Sequence, residues 1–289
     1  MNQYLKFPNF DPIVFSIGPI SLHWYGAMYL FGVLGAFYLA KRRVDKSNNQ
    51  WTLQQVENLL FWGFLGLFIG GRLGYVFFYN FATFIKNPIV LFKVWEGGMS
   101  FHGGLIGAIF VIAIFAKKAN KTFMQVGDFV APLVPIGLMF GRFGNFINGE
   151  LWGRVTNLPI GMLFPTSSYA DFKFVQSHPE WFSLYSKLNG ILPRHPSQIY
   201  EMVFEGIVLF IILNIFIRKP RPTGAVSGVF LFCYGLFRFV IEFFRQPDEQ
   251  LGLFLNIISM GQILCLPMII GGILILLFSY RFNNKAKTR

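Results

Sequence analysis

The stretch GRFGNFINGELWG, residues 141–153, closes a long apolar run yet carries Arg142, Asn145, Asn148 and Glu150. A guanidinium in such a setting suits an anion, because its planar fork donates two parallel hydrogen bonds to a phosphate or carboxylate. Asn145, three residues on, shares its helical face and adds neutral donors. The glycines that follow would let a ligand approach the backbone. A second stretch, GGMSFHGG at 97–104, holds His102. An unperturbed pKa of about 6.5 suits histidine to general-base work near neutrality. The bland alternative is a hydrogen-bonded structural histidine, and the flanking glycines could equally turn backbone N–H groups toward an anion. Ser100 lies beside it, but GMSFH is not the GxSxG elbow of a serine hydrolase. HExxH and paired Cys/His ligand spacings are both absent from the sequence, so no metal site is expected. Cys233 and Cys265 sit inside apolar segments and read as small buried hydrophobes.

The elements that must carry these residues are read from composition and hydropathy. The 289 residues are 54% hydrophobic, 19% aromatic and only 13% charged, against about a quarter charged in soluble domains. Spans of about 20 mostly apolar residues fall at roughly 17–40, 56–79, 98–116, 126–148, 197–217, 224–243 and 257–280. The expected fold is therefore all-α: a polytopic integral membrane protein with seven transmembrane helices. The polar, Pro-interrupted start and the length of the first apolar run argue for a retained span over a cleaved leader. Residues 149–196 mix charges, Pro, Ser and aromatics, and a connection that long is usually functional or partly folded. It reads as a periplasmic cap inserted between helices four and five of a single membrane domain, 1–289.

Lys and Arg number 25 against 13 Asp and Glu, a formal net charge of +12. The basic residues fall in short runs between apolar stretches, which favours orientation charge over nucleic-acid binding. Runs such as Lys41, Arg42, Arg43 and Lys46, or Arg281, Lys285, Lys287 and Arg289, outweigh those on the opposite connections. The amino terminus is thus expected outside and the carboxyl terminus in the cytoplasm. With that orientation, His23, Tyr25, Arg72, His102, Arg142, Asn145, Glu201, Glu205, Tyr234, Arg238 and Glu242 all come out in the outer leaflet. Embedded charges are costly unless paired or hydrated, and they mark functional cavities. Three arginines at one level, Arg72, Arg142 and Arg238, would repel without anions among them. A phospholipid phosphate is one candidate, and Glu150, Glu201, Glu205 and Glu242 are others. A purely structural ion-pair network stays open for Glu201 and Glu205, and simple snorkelling for Arg72.

GRFGNFINGELWG resembles the signature of the bacterial prolipoprotein diacylglyceryl transferases at every fixed position, from Gly141 to Gly153. Similarity extends to SLHWYG (21–26), GGRLGYVFFYN (70–80), WEGGMSFHGG (95–104), RHPSQIYE (194–201), GAVSGVFLFCYGLFRFVIEFFRQPD (224–248) and ISMGQIL (258–264). The resemblance implies a seven-span inner-membrane transferase, amino terminus periplasmic, without a cofactor. Its activity moves the sn-1,2-diacylglyceryl group of phosphatidylglycerol to the lipobox cysteine thiol of a preprolipoprotein, and glycerol phosphate leaves. By the same resemblance, Arg142 and Arg238 bind that phosphate and Asn145 assists them. His102 is the base, directly or through water. Tyr25, Glu150 and Glu242 position, and Gly153 gives backbone clearance. Two other classes compete: a transporter for anions or lipids, which more often shows repeats and a midplane site, and a seven-helix receptor, which has no need of converging arginines.

Overall fold

A computed structural model describes residues 4–8, 10–11, 13–18, 20–47, 50–247, 253–254 and 258–287. Position 19 of the first expected span, position 257 of the last, and both ends of the 1–289 range lie outside the described residues. In chain order the helices are α1 Trp24–Asp45, α2 Leu53–Tyr79, α3 Phe81–Lys86, α4 Phe101–Lys118, α5 Phe123–Val130, α6 Val134–Ile147, α7 Ser168–Ser177, α8 Phe182–Lys187, α9 Ser197–Glu201, α10 Leu209–Phe216, α11 Ala225–Ile241 and α12 Met260–Lys287. A π-helical segment, Met202–Val208, joins α9 to α10. Short strands accompany them: β1 Leu5–Lys6, β2 Ile13–Ile17, β3 Ile20–His23, β4 Met162–Leu163, β5 Pro193–Arg194, β6 Leu253–Phe254 and β7 Ile258–Ser259.

Each of the seven apolar stretches contains helix, though not over its whole length. Four helical stretches among the described residues are long and apolar enough to cross a membrane: α2, α4, Ser197–Phe216 and α12 over Met260–Phe282. A fifth is added if Phe123–Val130 and Val134–Ile147 count together. The protein is thus a mostly helical membrane protein. At 17 residues α11 is shorter than these, since about 20 residues are needed to cover a bilayer core at 1.5 Å per residue. The first helix begins at Trp24, later than hydropathy suggested. Ile13–Ile17 and Ile20–His23 pair as antiparallel strands β2 and β3 instead, a choice favoured by β-branched Ile13, Val14, Ile17 and Ile20 near Gly18, whose φ is +58°.

The chain divides into two compact units, Met1–Ala36 with Ala131–Arg289, and Phe37–Val130. In the larger unit, α11 packs along α12, and Leu209, Leu213, Val226 and Ala131 form a buried core. The 149–196 connection is folded: β4 pairs with β1 on one side and β5 on the other. Phe164 and Leu192 are fully buried beneath it, with Phe7 wedged between the rings of Phe146 and Phe164.

In the smaller unit, α2 and α4 touch backbone to backbone. Gly66, Gly70 and Gly74 recur every four residues on α2, facing Gly103 and Gly107 on α4; a Cβ on Gly74 would stand 2.8 Å from the Gly103 Cα and 3.1 Å from the Ser100 Cβ. Small residues at this spacing let membrane helices approach closely. Gly103 and Gly104 are thereby used for packing, which leaves no role for them in an anion nest. Elsewhere in the same unit, Trp51 stacks on Phe129 with centroids 4.2 Å apart. Gly74→Ala should lower the melting temperature in detergent, because overpacking costs about 1–3 kcal/mol. Gly63→Ala, on the same helix with nothing within 4 Å of the new methyl, should not; equal melting of the two variants would contradict the close contact.

Candidate active site

The signature stretch folds by its own local rules. α6 ends at Ile147 and Gly149 adopts φ +63°. The Glu150 N–H then donates to the Asn145 carbonyl at 3.1 Å and the Gly149 N–H to that of Phe146 at 2.9 Å. This is the Schellman arrangement, which wants glycine at the left-handed position. It turns Glu150 back under the helix, where its Oε1 accepts from Asn145 Nδ2 at 2.8 Å and Asn148 Nδ2 at 3.4 Å. Gln198 Nε2 donates to the Glu150 carbonyl at 2.6 Å, and the Ser197 hydroxyl to that of Leu151 at 2.9 Å. The turn is thereby pinned to the start of α9. Tyr25 lies against Gly144, where a Cβ would meet its ring at 3.2 Å.

One helical turn before Asn145, Arg142 faces Glu201 and Glu205. Its Nε is 3.2 Å from Glu201 Oε2 and 3.9 Å from Glu205 Oε2. Arg238 of α11 reaches the same two carboxylates through Nη1, closest to Glu201 and 3.6 Å from Glu205 Oε1, while its Nη2 meets Glu242 Oε2 at 3.1 Å. Arg245 Nη1 follows at 3.8 Å from Glu242. The result is an alternating lattice of positive and negative side chains. Glu201 and Glu205 are wholly buried, and a buried carboxylate is tolerated only where cations and donors offset its lost hydration. A π-helical segment, Met202–Val208, with hydrogen bonds running i→i+5, carries Glu205 four residues after Glu201. Gly206 lets this segment lie on α6, since a Cβ there would stand 2.9 Å from the Met139 Cα.

Glu242 is fixed from the carboxyl-terminal side as well. Ser259 and Gln262 form a capping box at the start of α12: the Gln262 N–H donates to the Ser259 hydroxyl at 3.2 Å and the Ser259 N–H to Gln262 Oε1 at 3.0 Å. The Ser259 hydroxyl donates to Glu242 Oε1 at 3.1 Å. Gly261 leaves room for that carboxylate, which a Cβ would approach to 2.7 Å, so Glu242 sits at the positive end of the α12 dipole.

A sequence profile of the prolipoprotein diacylglyceryl transferases matches residues 12–278. The chain belongs to the prolipoprotein diacylglyceryl transferase family. It is 61% identical over 289 residues to a protein of Erwinia tasmaniensis named phosphatidylglycerol--prolipoprotein diacylglyceryl transferase, covering 100% of this chain and 98% of the relative. Proteins of the same name from Sodalis glossinidius and Yersinia pestis are also 61% identical, over 280 and 282 residues, with 96% and 97% of each chain covered.

Against this family background the expected site residues have distinct placements. Arg142, Arg238 and Glu242 converge through Glu201 and Glu205, and Asn145 and Glu150 bond to each other. Gly153 stands apart from the lattice, between the Phe244 carbonyl and His195, where a Cβ would be 2.8 Å from the His195 Cβ. Its N–H donates to the His195 carbonyl at 2.8 Å. His102 lies in the smaller unit on the first turn of α4, exposed and edge-on to Phe101. The Ser100 hydroxyl caps that helix by accepting from the Gly103 N–H at 3.2 Å.

Arg72 departs from the expectation of three arginines around a shared anion. Its five N–H groups go to the carbonyls of Leu91 (3.0 Å), Gly97 (2.5 Å), Gly98 (3.0 Å), Val90 (2.5 Å) and Lys93 (2.8 Å). Arginine has five such donors in all, so this guanidinium is consumed in holding the segment that leads to His102. Hydropathy gives a depth but not the partner, and the intervening loop supplied the partners first. Sequence reading also missed the framework beneath the lattice. Arg194 Nε pairs with Asp171 Oδ1 at 2.7 Å, with the guanidinium 4.0 Å from the Trp152 ring centroid. Burial pushes the Arg194 guanidinium pKa down, and Asp171 opposes the shift. The stretch RHPSQIYE held the available signal, an arginine and a glutamine placed just before an apolar run.

Glu201→Ala should cost about 3–5 kcal/mol, the usual effect of breaking a buried ion pair; an unchanged melting temperature would show that the lattice does not hold these helices. Burial also lowers the pKa of His195, so the unfolded chain protonates first as pH falls. The stability it contributes is complete above about 6.5 and is lost as pH drops through the lowered folded value. Melting of the wild type should therefore decline more steeply between about pH 7 and pH 5 than that of His195→Gln, and parallel slopes would refute this.

Proposed function

We propose that this chain is a phosphatidylglycerol:prolipoprotein diacylglyceryl transferase. It moves the sn-1,2-diacylglyceryl group of phosphatidylglycerol to the lipobox cysteine thiol of preprolipoproteins, the first step of bacterial lipoprotein maturation. The observation that carries this reading is 61% identity over essentially the full length to relatives bearing that name. The sulfur attacks the glyceryl carbon bonded to the phosphate oxygen. A C–S thioether bond forms, the C–O bond breaks, and glycerol phosphate departs with the electron pair.

Such a displacement needs a thiolate and a stabilised leaving phosphate. Arg142 is suited to the second task. Its carboxylate contacts among the described residues run through Nε, and 19% of its side chain is exposed, so Glu201 and Glu205 orient the guanidinium without engaging its terminal nitrogens. Arg238 spends both terminal nitrogens on carboxylates and adds a second positive charge to the site. Asn145 contributes a neutral donor, and His102 receives the thiol proton, directly or through water. Tyr25, Glu150 and Glu242 hold the binding groups in place, and Gly153 gives the backbone clearance beside His195.

The topology in this reading is seven spans in the bacterial inner membrane, amino terminus periplasmic and carboxyl terminus cytoplasmic, within one membrane domain. Residues 149–196 form the periplasmic cap. The basic runs support the orientation, and a reactive site in the outer leaflet places phosphatidylglycerol headgroups and exported thiols at one level.

Purified protein given phosphatidylglycerol vesicles and a lipobox peptide should yield a thioether-linked diacylglyceryl peptide by mass spectrometry. Movement of lipid or anion without a covalent product would replace this reading with a transporter. Arg142→Ala and His102→Ala should insert normally and lose about 10²-fold or more of the activity, the scale of losing one transition-state donor; normal turnover by both would sink the assignment.

A further inference from the structure

Glu205 has the poorest partners of the buried lattice. It is fully buried, and neither carboxylate oxygen makes a hydrogen bond among the described residues. Its cations stand at 3.6 Å, Arg238, and 3.9 Å, Arg142. Glu201, one turn earlier, already meets both arginines at shorter range, and Glu242 holds the other terminal nitrogen of Arg238. Pairing the arginines therefore does not require Glu205. A buried carboxylate left without donors is costly, and this one is set on a π-helical segment, a feature found mostly at functional sites. Its Oε2 stands 3.9 Å from the Nε of Arg142, the partly exposed arginine of the lattice, so its charge acts on any anion that Arg142 holds.

The transferase reading, on which this inference rests, specifies how the occupant changes. The substrate phosphate is a diester with one negative charge. The leaving glycerol phosphate is a monoester, whose second ionisation lies near pH 6 and which carries about −1.5 to −2 at neutrality. Three arginines, Arg142, Arg238 and Arg245, are formally balanced by Glu201, Glu205 and Glu242, so any charge a bound anion brings is in excess, and a monoester brings up to about twice that of a diester. Repulsion from a fixed carboxylate grows with the charge of the anion and is poorly screened away from water. We propose that Glu205 is a specificity-determining residue that makes the Arg142–Arg238 site accept phosphodiesters and reject phosphomonoesters. The same repulsion speeds product departure, because the bound group becomes more negative when the C–O bond breaks.

The test uses the full-length chain in detergent with phosphatidylglycerol and a lipobox peptide. Inhibition by glycerol phosphate is compared with inhibition by its O-methyl diester at neutral pH. The wild type should be inhibited more strongly by the diester. In Glu205→Gln the ratio of the two inhibition constants should move toward the monoester by roughly tenfold or more. A wild type that favours the monoester, or a ratio unchanged in the variant, overturns the proposal. Melting of Glu205→Gln reports its folding; should it not fold, Glu205→Asp, which withdraws the charge by one methylene, must shift the ratio in the same direction or the proposal fails. Absence of thioether product from the wild type would instead defeat the transferase reading, whereas product formation with an unshifted ratio defeats only the role of Glu205.

Discussion

A carboxylate removed from water must be answered by cations, and Glu201 imposes that condition on the larger unit. It is fully buried and meets guanidinium groups from α6 and from α11. Three segments distant in sequence are thereby fixed to one point. The glycine that brings the π-helical segment onto α6, and the Schellman turn that folds Glu150 beneath Asn145, serve the same convergence. Hydrophobic packing alone would hold such helices in many registers; alternating charges at the contact allow few.

Arginine is used in three ways in this chain, and its partners decide which. Arg72 gives every donor to loop carbonyls and acts as a fastener. Arg194 is enclosed by Asp171 and the face of Trp152 and organises the folded connection. Arg142 alone of these three meets its carboxylates through Nε while part of the side chain stays open. Arg72 and Arg142 both lie on apolar helical stretches, so that setting by itself cannot separate a structural guanidinium from one able to take a ligand. The accounting of individual N–H groups does.

Much of the fold was legible because lipid favours helix: four of the expected spans, or five with the bent pair, contain helix long and apolar enough to cross a membrane. The departures come from shorter-range physics. The first expected span began at about residue 17, but Ile20–His23 pairs with Ile13–Ile17 as strand, favoured by β-branched residues near the left-handed Gly18. At the site, Arg142, Asn145 and Glu150 could be grouped from spacing within one stretch. The fixing of Glu242 by Ser259 could not, because it depends on two segments meeting in space. The role of Arg72 stayed open for the same reason, since its carbonyl partners lie 18 to 26 residues further on. Spacing reveals what one helix presents, and the partner must be supplied by the fold.

The capping box at Ser259 has a bearing on biogenesis. Glu242 receives its hydroxyl donor, and the electrostatic support of a helix start, from the final helix of the chain. During synthesis, α6, α9 and α11 leave the ribosome before that support exists, so the inward-facing charges cannot settle into their final balance until the last segment has been inserted. Completion of the charge lattice thus waits for the end of translation, and a nascent chain stalled short of residue 259 would hold Glu242 without the hydroxyl that meets it.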